Sequence, residues 1–574
     1  MKGRPAGSAT SGAGGMGVSR AASLLLACAC LAAAFAIYAP ALDGKFISDD
    51  GHYVAQNPYI HDPSVENLIA ILNPGSVVAL VVENYAPVHL MLHVLEWQLF
   101  GESVRGYHVV NVVVHTLACL LWVALLLRWG LSPVAAWLAA GLLLVHPANV
   151  EAVAWISQLK TTSAMVLCVG ALLAHPRRPG LGALLFGLAL LAKPTAAVAL
   201  FAVAAAGWVR SADREAQEKG DWRWGWVAVW ALLLAAFAFA EFWAFNQTAG
   251  QAPPIYPELA ERFRSICAIA LRYLVMASTS WGLSTFHETP PAASWLDPWW
   301  LASLPVLAVL AWRLFGMLRE RRPEAIFWVW AVVSFAPICG VIPLPFPMAD
   351  RYLYFILPGL IGGAALALPE LSAWLAPRAG LDPGVRDAWG GKVAIGLCVV
   401  LISFFALRSH ERARIWRSSE FMMADAELHY PDGAAAQTRK ATRAALAGDV
   451  DATVAALRVA RARGYNRLDH LLGEPAYASL QSDPRFRAVL LEMAQEWLDR
   501  LQLNPSPSQL ELRLVAQAHV VLDDLPAAIR AIERALEVEG PISEDLERDL
   551  ETLSRSQRIR EHTRKRRAGG VPSE

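Results

Sequence analysis

The chain has 574 residues, of which 55% are hydrophobic, and it combines 22 tryptophans with a mean hydropathy of +0.36. This composition excludes a soluble protein and predicts a polytopic membrane protein. The 50 basic and 50 acidic residues give a formal net charge of zero, and no nucleic-acid partner is predicted. The charge is unevenly placed, because the 167 residues after Leu407 carry 25 Lys/Arg and 26 Asp/Glu. A charged soluble tail therefore follows an apolar body.

The first apolar segment, Ala21 to Leu42, follows a Gly/Ser/Ala-rich leader that we expect to be flexible and cytoplasmic over residues 1–20. We predict a retained start-transfer helix with its N-terminus in the cytoplasm; a cleaved signal peptide is the alternative. The next segment, Phe46-Ile47-Ser48-Asp49-Asp50-Gly51-His52-Tyr53, then lies outside the membrane.

Ten further apolar segments complete a prediction of eleven crossings. They are Tyr107 to Leu127, Pro133 to Val145, Thr162 to Ala174, Leu181 to Ala192, Thr195 to Val209, Gly225 to Phe245, Trp299 to Trp312, Ala325 to Val341, Tyr352 to Leu368 and Val393 to Leu407. Two other apolar stretches, Pro87 to Phe100 and Ile266 to Leu283, are interpreted as re-entrant or surface helices on the outer side. With this choice the cytoplasmic segments carry 17 Lys/Arg and the outer loops before the tail carry 8, as the positive-inside rule requires.

This topology puts polar residues from separate loops on one external face. They are Asp49, Asp50, Glu83, His146, Glu151, Lys160, Lys193, Asp350 and Arg351. Any protein with many spans has charged loops, and for a single residue such as Glu83 that explanation is preferred. Acids and single cations at the ends of several spans nevertheless predict a shared outer site.

A set of short motifs follows the Asp-Asp pair in a fixed order. They are Asn84-Tyr85-Ala86-Pro87-Val88, Leu99-Phe100-Gly101, Gly106-Tyr107-His108-Val109-Val110-Asn111, Val114-His115, His146-Pro147-Ala148-Asn149-Val150-Glu151-Ala152-Val153-Ala154-Trp155-Ile156-Ser157, Leu191-Ala192-Lys193-Pro194 and Met348-Ala349-Asp350-Arg351-Tyr352-Leu353-Tyr354. Together they resemble the transmembrane-and-tetratricopeptide O-mannosyltransferases and their bacterial relatives, in the GT-C class of polyprenyl-phosphate-sugar glycosyltransferases. The resemblance covers Phe46 to about Trp416.

The resemblance implies an all-α fold: a GT-C-like helix bundle of about eleven spans over residues 21–407, with the active site at the outer leaflet. It also implies that an acid in the first external loop, about residues 43–106, is the catalytic base. The sequence departs from the family's motifs at two places, and both bear on which sugar and acceptor are used. Leu159-Lys160-Thr161 keeps the cation of the family's Arg-Lys-Asp but loses its acid, and Tyr85-Ala86-Pro87-Val88 replaces a Tyr-Arg-Pro-Leu motif.

The chemistry can also be argued from the residues. Transfer of a sugar from a polyprenyl phosphate to a hydroxyl needs a base for the nucleophile and cations for the departing phosphate. We expect Asp49 to be the base and Asp50 to orient it or bind the acceptor, although the order could be reversed. The alternative is that Ser48-Asp49-Asp50-Gly51 is only a polar turn. The candidate phosphate ligands are Lys160, Lys193 and Arg351.

Five further residues are candidates for binding or orienting substrate, namely Glu83, Tyr85, His146, Glu151 and Asp350. For two of them a structural role is open: His146 with Pro147 could simply end a span, and Asp350 with Arg351 could be a structural ion pair. His89, His93 and Glu96 share one helical face at a spacing that could bind a divalent cation. No cofactor is otherwise indicated.

The tail is predicted to be an external helical domain over residues 408–553. Two stretches approximate a tetratricopeptide unit, one around Gly448-Asp449, Leu457 and Ala460 and one from Leu512 to Ala535. Such arrays bind peptides or partner proteins, so substrate delivery and a role in assembly are both open. Residues 554–574 are rich in Arg and Lys and are predicted to be disordered.

The sequence therefore predicts a membrane glycosyltransferase that moves mannose or another hexose from a polyprenyl-phosphate donor to an acceptor hydroxyl on the external face. The acceptor could be a protein, a lipid or a polysaccharide. The alternatives are a non-catalytic membrane scaffold that uses the repeats and a transporter of lipid-linked sugar. We expect a bacterial inner membrane with a periplasmic tail, or the endoplasmic reticulum membrane if the source is eukaryotic.

Overall fold

The structure is a computed structural model, and it describes residues 20–82, 84–211, 222–248, 258–339, 347–375, 383–501, 507–538, 540 and 542–568. The regular structure in these ranges is helical, and none of them contains a β-strand. The predicted all-α fold class is therefore confirmed. Glu83 and the leader up to residue 19 lie outside the described residues.

Seven helices in the described ranges are long and apolar enough to cross a membrane, namely Arg20–Ala41, Val104–Arg128, Ile156–Ala174, Trp224–Ala244, Pro298–Arg319, Asp350–Leu368 and Lys392–Arg417. Three shorter apolar helices are Pro179–Ala192, Pro194–Arg210 and Glu324–Ile338. The bounds of the α-helices differ from those of some apolar segments. Some of the segments contain a 3₁₀ turn, and some belong to an α-helix that extends beyond the apolar part. The α-helices proper then run over Arg20–Tyr38, Leu159–Ala174, Val198–Arg210, Trp224–Thr248, Glu324–Phe335, Leu353–Leu375 and Pro383–Ala413.

A bent pair, Pro133–Val145 and Pro147–Ala154, is an eighth candidate span and turns by 50° at His146. The bend has a local cause, because Pro147 disfavours helical geometry at the residue before it and His146 is extended, with φ −68° and ψ 127°. With this pair and the three short helices, every predicted span corresponds to an apolar helix in the same order. The number of crossings stays a prediction.

The two apolar stretches left out of the count are also helical. Pro87–Phe100 is a 14-residue helix, and Leu259–Thr279 is a 21-residue helix that starts earlier than the apolar stretch at Ile266. Charged residues in its first half, Glu261, Arg262 and Arg264, distinguish this helix from the spans.

The segment that follows the first apolar helix forms a small helical unit of its own. A π-helical turn, Gly51–Ala55, is followed by three short helices, Pro58–His61, Val65–Leu72 and Val77–Val82. The side chains of Asn57 and Ser64 accept hydrogen bonds at the N-termini of the first two helices. An apolar cluster that includes Tyr53, Val54, Ile60, Ile71 and Leu90 packs this loop against the helix Pro87–Phe100.

The core of the membrane domain combines large aromatic rings with close helix contacts. Trp122 meets Phe327 and Trp330 edge to face, with ring centroids 5.7 and 5.5 Å apart. A Cβ atom at Gly359 would lie 2.5 Å from the backbone nitrogen of Ala331, so Leu353–Leu375 can approach Glu324–Phe335 this closely only with glycine there.

The tail consists of helices joined by short connections. They are Ser419–His429, Ala434–Leu446, Val450–Ala462, Leu468–Gly473, Pro484–Leu501, Gln509–Val521, Leu525–Glu537 and Ser543–Ala568. The apolar positions assigned to the second repeat do pack together: Leu512, Ala516, Ala528, Ile532 and Ala535 belong to one buried cluster. The tetratricopeptide assignment itself stays a prediction.

The last helix, Ser543–Ala568, extends into the basic stretch for which disorder is predicted, residues 554–574. Its Arg560 is paired with Asp523 of the preceding helix hairpin, and Gln557 donates to Glu561 one turn further on. Residues 569–574 lie outside the described residues.

Candidate active site

The adjacent acids Asp49 and Asp50 have different environments. Asp50 is fully buried, whereas Asp49 is half-buried and its Oδ1 accepts a bond from the hydroxyl of Ser48 at 3.2 Å. Ser48 has a φ of +50°, in the left-handed region, and this turns the chain so that the two carboxylates leave it in different directions. The acids therefore do not share one role.

Asp50 joins the first loop to the segment that follows Trp155. Its Oδ2 accepts the backbone N–H of Ile47 at 3.0 Å, and its Oδ1 accepts the backbone N–H of Ser157 at 2.9 Å and also the Ser157 hydroxyl. The indole N–H of Trp155 adds a bond to the Ile47 carbonyl at 3.4 Å. Burial raises the pKa of Asp50 to about 6 although these hydrogen bonds act to lower it.

Glu151 and Arg351 form a buried ion pair from two loops that are 200 residues apart. The Glu151 carboxylate accepts the Arg351 guanidinium at 2.5 Å and the Arg351 backbone N–H at 2.6 Å. The guanidinium also lies 5.4 Å from the centre of the Trp155 ring. Arg351 is therefore fixed in position and direction, and 17% of its side chain is still exposed.

Two lysines complete a group of cations. The ammonium of Lys160 donates to the Tyr53 hydroxyl at 3.1 Å and lies 4.3 Å from the centre of the Tyr53 ring. The ammonium of Lys193 donates to the Thr161 hydroxyl at 2.6 Å. A neutral hydroxyl therefore accepts a hydrogen bond from each lysine.

The three candidate phosphate ligands belong to one electrostatic cluster. Burial lowers the pKa of Lys193, the charges of Lys160 and Arg351 lower it further, and the charge of Glu151 opposes this effect. Arg351 is in turn attracted by Asp49. Charge interactions thus link the three cations to one another and to Glu151, and one of them links Arg351 to Asp49.

His52 also lies beside Asp49. Burial lowers the pKa of His52, and the charge of Asp49 opposes this effect. A largely neutral imidazole next to the carboxylate leaves Asp49 without a strong ion-pair partner in its own loop, which suits a group that must accept a proton.

Three predicted site residues form hydrogen bonds or ion pairs with other parts of the protein. Both ring nitrogens of His146 are bonded, to the Ala277 carbonyl at 2.9 Å and to the Ala148 N–H at 3.2 Å. The Tyr85 hydroxyl donates to the Leu72 carbonyl at 2.9 Å. Their hydrogen bonds hold the protein backbone, so the expectation that these two side chains orient substrate lacks support in the geometry.

Asp350 is the third predicted site residue that binds other parts of the protein. It faces away from Arg351 and binds His287 at 2.7 Å and Arg412 at 2.8 Å. The structural ion pair expected between Asp350 and Arg351 is therefore replaced by two separate pairs, one with Arg412 and one between Arg351 and Glu151.

The candidate metal ligands do not form a metal site. The Nδ1 of His93 lies 2.7 Å from the Glu96 carboxylate, and the rings of His89 and His93 pack edge to face with centroids 4.3 Å apart. Within the described part of the chain no group of three or more His, Cys, Asp or Glu side chains is placed to hold a metal ion.

One acidic residue near the site was missed by the sequence reasoning. Glu241 lies in the span Trp224–Ala244 and has electrostatic interactions with Lys160 and with Tyr85. The sequence signal was present, because a lone carboxylate in an apolar span is a functional candidate by default.

The comparisons with known proteins agree with the motifs. A stretch of 146 residues is 30% identical to a protein O-mannosyl-transferase of Caenorhabditis elegans, and it covers 24% of this chain and 21% of that protein. Over this stretch the chain is a distant relative of a protein O-mannosyltransferase. The predicted resemblance is confirmed to that extent, and the matched part spans about a fifth of the relative's length.

Two further comparisons were made. No family model matches the chain. The crystal structure of ArnT from Cupriavidus metallidurans bound to undecaprenyl phosphate aligns with 90% of this chain and 81% of its own, with 15% sequence identity and a TM-score of 0.36.

Proposed function

We propose that this chain is a membrane glycosyltransferase that moves a hexose from a polyprenyl-phosphate donor to an acceptor hydroxyl on the external face. The observation that supports this most directly is the position of Asp49, a half-buried carboxylate that attracts Arg351 within a cluster of three cations. A base and a phosphate-binding group side by side are what such a transfer needs.

In the proposed reaction the acceptor oxygen attacks the anomeric carbon of the sugar. The new bond joins that carbon to the acceptor oxygen, and the bond that breaks joins the same carbon to the phosphate oxygen. Asp49 takes the hydroxyl proton, and the polyprenyl phosphate leaves as an anion with the electron pair of the broken bond. Lys160, Lys193 and Arg351 balance the charge that collects on the phosphate.

Asp50 and Glu151 act on other residues in this proposal. Asp50 fixes the loop that carries Asp49 through Ile47 and Ser157, and Glu151 fixes Arg351 at its backbone and its guanidinium. Both are positioning residues. Their substitution should disturb the site geometry without removing a group that touches the reacting atoms.

The finer assignments belong to the same proposal. Mannose is the favoured sugar because the C. elegans relative is named a protein O-mannosyl-transferase. We assign the reaction to the non-cytoplasmic side of a bacterial inner membrane or, in a eukaryote, of the endoplasmic reticulum membrane. The helical tail on that side would then present or select the acceptor.

The test is sugar transfer in membranes that contain the wild-type chain or a variant. Polyprenyl-phosphate-linked mannose with a radioactive sugar is added, and label in the delipidated acceptor fraction is counted. Asp49→Asn should abolish the transfer. Asp43→Asn is the matched control, because Asp43 is in the same loop, is 68% exposed and pairs only loosely with Arg105 at 3.6 Å.

The wild type and Asp43→Asn should transfer equally. Equal label from wild type and Asp49→Asn would contradict Asp49 as the base. A wild-type level no higher than that of membranes without the chain would contradict the enzyme and favour the scaffold or transporter alternatives.

A further inference from the structure

A cleft of about 440 Å³ lies where the membrane domain meets the tail, and we call it the junction cleft. Its walls come from the C-terminal end of the helix Leu259–Thr279, the following loop to Thr289, and residues 408–430. The volume is within the range of roughly 300–1,000 Å³ found for ligand sites. None of the proposed catalytic residues lines it.

One wall of the junction cleft is a flat aromatic surface. Trp281 and Trp299 are stacked, with ring centroids 6.3 Å apart and planes at 14°. The Arg272 guanidinium lies 4.2 Å from the centre of the Trp299 ring, and Trp281 is 65% exposed. An exposed indole beside a cleft offers a flat apolar face to a ligand.

Two arginines of the cleft, Arg408 and Arg412, are already paired with carboxylates of the protein. Arg412 binds Asp350 at 2.8 Å and lies 3.7 Å from Asp425, and Arg408 binds Glu411 at 2.8 Å. An anionic ligand would have to compete with these carboxylates for each arginine. The cleft is therefore better suited to a neutral polar ligand than to a phosphate.

Hydroxyl and imidazole groups provide hydrogen bonds close to the aromatic wall. The Tyr430 hydroxyl lies 3.2 Å from the Nδ1 of His287 and 3.2 Å from the hydroxyl of Thr289. His287 is held from its other side by Asp350 at 2.7 Å. This chain of groups can donate to and accept from neighbouring hydroxyls of one ligand.

We propose that the junction cleft binds a neutral carbohydrate, with the apolar face of a pyranose ring against Trp281 and its hydroxyls toward Tyr430 and the paired charged groups. A pyranose has one flat face of C–H groups and a rim of hydroxyls, which matches the aromatic wall and the polar groups around it. Binding itself does not depend on the proposed transfer.

The place of the cleft in the fold suggests which sugar it holds. Asp350 binds His287 and Arg412 of the cleft, and the next residue, Arg351, binds Glu151 of the candidate active site. The two sites thus lie on opposite sides of one 3₁₀ turn, Asp350–Tyr352. If the proposed transfer is correct, the cleft holds a sugar already present on the acceptor while the donor occupies the site at Arg351.

The test is direct binding of free sugars to the full chain in lipid nanodiscs, measured by saturation-transfer NMR with mannobiose and methyl mannoside. Trp281→Ala should weaken mannobiose binding by roughly tenfold through loss of the aromatic contact. Tyr430→Phe removes only a hydroxyl, should leave the fold intact, and should also weaken binding. Trp295→Ala is the matched control, because Trp295 is 59% exposed in the same region but does not line the cleft.

Wild type, Trp295→Ala and Asp49→Asn should bind equally well. Several results would overturn the proposal: absence of saturable binding, equal loss in Trp281→Ala and Trp295→Ala as expected of lipid-facing tryptophans, or displacement of the sugar by millimolar inorganic phosphate. Loss of binding in Asp49→Asn would place the sugar in the catalytic site instead and would also overturn it. A mannosylated serine peptide that binds more tightly than mannobiose supports the acceptor as the source, whereas equal affinity contradicts that assignment.

Discussion

The buried carboxylate of Asp50 should make the stability of the protein depend on pH in a specific direction. Burial raises the pKa of Asp50 from 3.8 to about 6 in the folded protein. The fold therefore favours the protonated form relative to the unfolded chain. The stabilising contribution is fully present below pH 3.8, and it is lost as the pH rises through about 6.

The size of the effect follows from the shift. A change from 3.8 to about 6 is a little over two pKa units, and at about 1.4 kcal/mol per unit this gives about 3 kcal/mol. Most of it, about 2–3 kcal/mol, falls between pH 4 and pH 7. Asp50→Asn cannot ionise, so the wild type should lose about this much stability relative to the variant over that interval.

The assay is thermal or denaturant unfolding of purified wild type and Asp50→Asn at pH 4, 5, 6 and 7, with the difference between the two proteins as the observable. Other titrating groups are common to both proteins and cancel in this difference. Asp43→Asn serves as control, because it removes an exposed acid from the same loop. A flat difference for Asp50→Asn, or one that favours the wild type at higher pH, would refute the reasoning.

Three further predictions concern the candidate site. Asp49→Asn should lower sugar transfer by roughly 10²–10⁴-fold while the unfolding midpoint stays unchanged, since it removes a base and no buried contact; paired kinetic and melting measurements check this. Lys160→Met and Lys193→Met should each raise the apparent KM for the lipid-linked donor, as seen in donor titrations at a saturating acceptor concentration. Glu151→Gln should weaken the buried pair with Arg351. The melting temperature should fall by several degrees, and the affinity for the donor should fall with it. A normal melting temperature would show that the pair is not structural.

The membrane part of the fold follows closely from local sequence patterns. A run of apolar residues in a membrane protein has few alternatives to a helix, so each predicted span corresponds to an apolar helix. The bend at His146 could also be anticipated from the proline that follows it. By contrast, the contact in the tail between Arg560 and Asp523 joins residues that are 37 positions apart, and no local pattern reveals it.

The candidate site was only partly predictable, because its members are distant in sequence. The order of the predicted spans assigns Asp49 and the three cations to the same side of the membrane, because an odd or even number of crossings decides the side. It could not distinguish the two acids, because the decisive partner of Asp50 is Ser157, 107 residues away. It likewise could not show that Asp350 and Arg351 bind different partners.

The backbone hydrogen bonds of His146 and Tyr85 could not be predicted for the same reason, because their partners are distant in sequence. Their residue types suit substrate contacts, but their hydrogen bonds go to the backbone at Ala277 and Leu72. Polar side chains that hold the backbone and polar side chains that bind substrate look alike in a sequence, and only the partner distinguishes them.

The central claim is that Asp49 enables the transfer of a lipid-linked hexose to an acceptor on the external face. The most direct measurement is mass spectrometry of hexose-modified surface and secreted material from cells that lack the chain and are complemented with wild type, Asp49→Asn or Asp43→Asn. Wild type and Asp43→Asn should restore the same modified acceptors, and Asp49→Asn, expressed at the same level in the membrane, should restore none. Restoration of the full set by Asp49→Asn would contradict the claim.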